Sequence, residues 1–151
     1  MPSVAAQAVD EIAEEIGKLE NASNFGVFRR ALLSDDKGQW SNLQSGIYVF
    51  DSAEEDEAAG TNERDDIGYG ISVVIVKGTS GGISEGLEPL RDFREKVRRR
   101  FHNQRLRKVV LAGSHHCTCR VSHGPRRQRT KDDRYEISHL IVRVWMREAR
   151  S

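Results

Sequence analysis

Cysteine is scarce in this chain, with two in 151 residues, at Cys117 and Cys119. Side chains two positions apart on a strand point the same way about 7 Å apart, too far for a bridge in extended backbone, so no disulfide framework is expected. The N-terminal MPSVAAQAVDEIAEEIG has neither a basic start nor a continuous apolar run. A signal peptide needs both and a membrane anchor the second, and the protein is expected to be made and kept in a cytoplasm-like compartment. Without a secretory signal, the acceptor-like Asn21-Ala22-Ser23 reads as chance. Hydrophobic residues make up 37% and charged residues 31%, a polar balance that implies long exposed loops or a small core completed by partners. The length fits one domain, residues 1–151.

Net charge of one sign is also lacking, at +1 overall, but the balance hides a division. Residues 1–66 hold 5 Lys/Arg against 15 Asp/Glu, whereas residues 67–151 hold 19 against 8. A subunit split in this way invites head-to-tail contact with copies of itself.

Val4, Ala5, Ala8, Val9, Ile12, Ile16 and Leu19 recur at helical spacing, which predicts an amphipathic helix capped by Ser3 and ended by the cluster Asn21–Asn24, its acidic face turned to solvent. Residues 25–33 read as a strand, 34–46 as a loop holding Trp40, and Ile47–Phe50 as a short strand. Residues 51–66, DSAEEDEAAGTNERDD, offer almost nothing to bury and read as a mobile acidic loop. Residues 67–77 give the clearest strand: Ile67, Tyr69, Ile71, Val73 and Ile75 line one face, and the other face turns apolar halfway along, as in a central strand covered on both sides. After a Gly-rich connection over 78–86, the stripe Leu87, Leu90, Phe93, Val97 and Phe101 predicts a second helix to about Arg105, with Ser84 or Gly86 as cap and Pro89 in its first turn. Lys108–Ala112 and the following SHHCTCRVSH read as extended, residues 122–134 as a basic arm, and 135–148 as a long strand pairing antiparallel with 109–122.

None of these segments carries a specific catalytic motif. The Gly68–Gly70 pair lies inside a strand and not at a strand-to-helix turn, and residues 78–86 lack the Gly-Lys-Ser/Thr ending of a phosphate loop. The acidic run lacks EF-hand spacing. His115, Cys117, Cys119 and His123 share a strand face without zinc-site spacing, and Ser114 sits in no nucleophile elbow. No enzyme activity, cofactor or metal is expected. Two basic stretches, residues 91–108 and 126–131, keep a small nucleic-acid-binding protein as the alternative, although no helix-turn-helix, OB or RRM pattern accompanies them and few aromatics interleave the arginines.

The order helix, one or two short strands, acidic loop, long strand Ile67–Lys77, helix Leu87–Arg105, strand, arm and closing strand Tyr135–Glu148 resembles the tail-terminator and tail-completion proteins of long-tailed bacteriophages. The resemblance implies an α+β fold in which a mostly antiparallel sheet of four or five strands packs against two helices. It also implies a structural protein whose hexameric ring caps the tail tube and joins it to the head or connector. Its partners would be copies of itself, the tail tube protein and a neck or connector protein, with DNA passing through without sequence-specific binding and no membrane involved. Its place would be the virion tail or neck, and the host cytoplasm during assembly. Candidate contact residues are Arg94, Arg98, Arg99, Arg100, Arg126, Arg127 and Arg129 on the basic side, and Glu54, Glu55, Asp56 and Glu57 on the acidic side.

Overall fold

In the computed structural model the described residues are 3–19, 26–29, 45–61, 64–78, 83–106, 117–123, 128–129 and 135–149. The elements run α1 (Val4–Gly17), β1 (Gly26–Phe28), β2 (Gly46–Thr61), β3 (Arg64–Gly78), α2 (Ile83–Phe101), β4 (Cys117–His123), β5 (Gln128–Arg129) and β6 (Tyr135–Ala149). The fold is α+β. Its mixed sheet has the order β1-β2-β3-β6-β4, with the two-residue β5 also on β6, and only β1 and β2 run parallel.

Apolar spacing decides the sheet's inner face. From α1, Val4, Ala5, Ala8, Ile12, Ala13 and Ile16 are buried, and they join Leu90, Phe93, Val97 and Phe101 of α2 in one core. Beneath them lie Ile47 and Val49 of β2, Ile71, Val73 and Ile75 of β3, Cys119 of β4, and Leu140, Val142 and Val144 of β6. Both strand alternations are as the sequence predicts, and β3 is central, between β2 and β6. Its second face carries a smaller cluster of Tyr48, Val74, Val76 and Ile137, with Phe28 and Phe50 against it. Ser3 caps α1, its Oγ accepting from the Ala6 N–H at 3.1 Å. The helix stops at Gly17, ahead of the Asn cluster, as the N–H groups of Lys18 and Leu19 turn back to the carbonyls of Glu15 and Ile16.

Three expectations need correction. Residues 51–61 and 64–66 are not a loop: they are the continuation of β2 and the start of β3, which pair through Ala58↔Asp66 and Ala59↔Asp65 to Thr61↔Arg64. β6 extends beside them to Arg64↔Ala149, so β3 carries a ladder on both sides along this segment. Where β2 bulges between Asp51 and Glu55, the Ser52 hydroxyl donates to the Gly70 carbonyl at 2.7 Å, replacing a ladder bond.

The second correction concerns α2. It begins at Ile83, taking Ser84 and Gly86 into the helix, and ends at Phe101. Asn103 adopts the left-handed conformation, with φ 59°, which terminates helices and which Asn tolerates. The chain leaving the helix then clips onto the edge of β4: the Asn103 N–H donates to the Cys119 carbonyl and the Cys119 N–H to the Gln104 carbonyl, both at 2.8 Å. His102 Nδ1 accepts from the Val121 N–H at 3.1 Å.

The basic arm is the third. Ser122 and His123 belong to β4, and Gln128–Arg129 pair with Ile137 and Glu136 of β6. Trp40, Lys108–Ala112, Arg126 and Arg127 lie outside the described residues.

Candidate subunit-contact surfaces

The last core layer towards the hairpin tip is Tyr69, paired to Glu55 on one side and Val144 on the other. β4 stays beside β6 as far as Cys117↔Met146, so the sheet is four-stranded through Asp56 and Glu57, and only residues 58–61, 64–66 and 147–149 continue past it as a three-stranded arm, roughly 10 Å at strand rise. Glu55, Asp56 and Glu57 stand in register with Tyr69, Gly68 and Ile67, and Glu54 lies in the bulge that precedes them. The end of α2 is tied to Cys119, and Cys119 is in register with Val144. The basic last turn Arg98–Arg100 therefore leads to the layer of Cys119, Val144, Tyr69 and Glu55, on the helical side of the sheet.

Several of the candidate arginines are already engaged inside the subunit. Arg98 holds Glu95, Nη2 to Oε2 at 3.2 Å. Arg100 Nη2 reaches Glu15 Oε2 of α1 at 2.8 Å, joining the two helices across 85 positions of sequence. Arg94 is half-buried, and Arg99 is exposed. Arg129 stands in β5 opposite Glu136. The acidic face of α1 is thus not simply solvated, since Glu11 is buried at 5% exposure and Glu15 is an inter-helix tie.

Hydrogen bonding from Arg100 is the main reason the Glu15 carboxyl is held below its ordinary value of 4.5; partial burial opposes it and Lys18 assists it. Arg98 lowers Glu95 in the same way. A carboxylate depressed in the folded state contributes stability that is present above its unfolded value and lost as pH falls through the folded one. Arg100→Gln is therefore expected to cost about 1 kcal/mol at neutral pH. In urea titrations across pH, the gap to the wild type should close on acidification; a gap that does not depend on pH would refute the ionic tie.

The other face of the sheet near the arm base holds residues that the sequence did not single out. Arg120 of β4 and Arg143 of β6 are directly opposed, and Arg143 is opposed on its other side by Gly70. Trp145 lies across Gly68, where an added Cβ would stand 3.0 Å from three indole ring atoms, so the ring lies flat on the glycine backbone. Thr118, Arg120 and Ser122 are exposed, and Ile141, Arg143 and Trp145 half-buried. That Arg120 meets Arg143 is a matter of register.

Catalytic and metal readings gain little. Among the described residues no group of three or more His, Cys, Asp or Glu could hold a metal, and Cys119 is a free thiol buried in the core. His115 and His116 lie outside the described residues. His139 Nε2 is 3.0 Å from Ser72 Oγ, a nucleophile–base distance. Ser72 is nevertheless only 2% exposed, in mid-strand, where the backbone N–H groups face the ladders of β2 and β6 instead of forming an oxyanion hole. A groove of about 440 Å³ between α1 and β1 is lined, among the described residues, by Ala13, Val27, Phe28 and Arg29, and Arg29 faces Asp10 at 3.7 Å. Among the described residues no helix is long and apolar enough to cross a membrane. The chain matches no protein-family model and no curated protein, which leaves its own residues as the basis for a functional conclusion.

Proposed function

We propose that this protein is a structural, non-enzymatic subunit that assembles head-to-tail into a ring. The role is that of the small α+β proteins that cap the tail tube of long-tailed bacteriophages and join it to the head or connector. The observation that carries this reading is the division of charge along the chain, 15 Asp/Glu against 5 Lys/Arg over residues 1–66 and 19 Lys/Arg against 8 Asp/Glu over 67–151. The acidic run 54–57 stands on β2, while exposed basic groups sit on α2 and β4. Heterologous rings need two unlike, complementary surfaces on each subunit, and opposed charge sets their register and on-rate. The tail tube and a neck protein would then stack on the ring's two faces. A nucleic-acid reading of the basic stretch 91–108 is less well supported, because Arg98 and Arg100 are already committed within the subunit.

Light scattering at low and high salt tests the proposal. A species of about 100 kDa, six copies of the 17.1 kDa chain, that dissociates as salt rises would support charge-assisted assembly. A monomer at every concentration and salt would refute self-assembly. Arg99→Glu is the cleanest single variant on α2, because Arg99 is exposed and its reversal leaves the Glu15–Arg100 tie intact. It is expected to weaken association about tenfold with the melting temperature unchanged. Unaltered association would remove this turn from the interface.

A further inference from the structure

We propose that residues 102–106 form an acid-sensitive strap over the outer edge of β4, with the His102 ring as its latch. The proposal goes beyond the ring reading and does not depend on it. β4 ends the sheet order, and an edge strand presents N–H and C=O groups to any chain able to pair with them. Here the chain leaving α2 covers that edge. Asn103 and Gln104 engage the carbonyl and the N–H of Cys119, and Arg105 forms an antiparallel bridge with Thr118. At Val121 the backbone N–H is taken instead by a side chain, the Nδ1 of His102 at 3.1 Å.

That side-chain bond ties the strap to one protonation state. A ring nitrogen that accepts from an N–H carries no proton, so the neutral ring keeps its proton on Nε2. A second proton must go to Nδ1, where it removes the acceptor and sets one N–H against another. The surrounding charges do not offset that loss. Across the last two turns of α2, the strap and β4, the one carboxylate among the described residues is Glu95, and Arg98 already holds it. Glu15 of α1 reaches the last turn of α2 but is held by Arg100. The other titratable or charged groups on these elements are Arg94, Lys96, Arg99 and Arg105, with Arg120 and His123 of β4. All are basic, so a charged His102 ring gains no compensating ion pair from them. Closing the strap and protonating Nδ1 therefore exclude one another. The strap is closed at neutral pH and loosens as pH falls through the range in which imidazole ordinarily titrates. Once lifted, it leaves Cys119 and Val121 as an open pairing edge.

Amide exchange followed by NMR tests this. Between about pH 7.5 and about pH 5.5, protection of the Val121 N–H is expected to fall about tenfold, the excess of charged over neutral ring one unit below the ordinary imidazole value. The Cys119 N–H should fall in parallel, while that of Val73 in the middle of the sheet keeps its protection. His102→Asn places a non-titrating acceptor on the same side-chain carbon position and should keep Val121 protected at both pH values. His102→Phe keeps a ring without the acceptor and should leave Val121 poorly protected at both. Wild-type protection that does not change with pH overturns the proposal. So does a pH dependence that persists in His102→Asn, which would move the effect to another group such as His123. Loss at Val121 with Cys119 unaffected would refute a strap that opens as one unit. These readouts come from within a single chain, so the latch can fail while the ring reading stands, and the ring can fail while the latch holds.

Discussion

Phe101→Ala is expected to remove about 3–5 kcal/mol of stability, the range for deleting a fully buried aromatic side chain. Phe101 is 0% exposed and is the last residue of α2. It anchors the point at which the helix leaves the core and the chain turns through Asn103 onto β4. Its loss opens a cavity beneath Val97 and Leu106, and it also loosens the platform from which His102, Asn103 and Gln104 hold the edge of β4. Urea unfolding should show the whole loss. Hydrogen exchange should show the N–H groups of Cys119 and Val121, which bond Gln104 and His102, losing protection in step. A loss below about 1 kcal/mol would mean that the helix end lies outside the cooperative core.

Much of this frame was legible in the sequence because it rests on local periodicity. Helix α1 and its Ser3 cap follow from residues within one turn of each other. The two-faced burial of β3 follows from Val74 and Val76 joining an alternation already set by Ile71, Val73 and Ile75. The antiparallel pairing of β4 with β6 follows from two extended segments separated by a short basic stretch. The continuation of β2 and β3 was not legible, because DSAEEDEAAGTNERDD offers almost no apolar surface to bury. Its strands form by pairing along β3, and β6 completes the ladder on the far side. That is tertiary information, absent from any window of the sequence. The contact surfaces fared likewise. The arginines of α2 were visible as a basic run, but the partners that engage them depend on packing: Arg100 meets Glu15 only because α1 and α2 lie on the same face of the sheet. The Arg120–Arg143 opposition depends on register, and a shift of one residue would have turned one of the two towards the core.

Glu136 shows the same dependence with a larger energetic consequence, and Glu136→Ala is expected to cost about 3 kcal/mol. The residue is 0% exposed at the start of β6, on the helix-covered face that continues through Ser138 and Leu140. An ionised carboxylate is held in such a place by paired charge and hydrogen bonds. The register supplies cationic residues on both flanks, Lys77 of β3 and Arg129 of β5, each a direct cross-strand neighbour. Nothing in YEISHLIV separates this glutamate from an exposed one, since its neighbours arrive from 59 positions earlier and from a two-residue strand. Truncation removes the carboxyl group from the position opposite the half-buried Lys77 and leaves a cavity in its place. Pairwise replacement separates the two. If Glu136 acts through an ion pair with Lys77, Glu136→Leu with Lys77→Met should recover most of the loss, because such a pair exchanged for apolar side chains of similar volume is close to neutral. A double variant as unstable as Glu136→Ala would show that the carboxylate acts through its other hydrogen bonds and not through Lys77. In that case β5, carrying Arg129, would be the element to examine by proteolysis and hydrogen exchange.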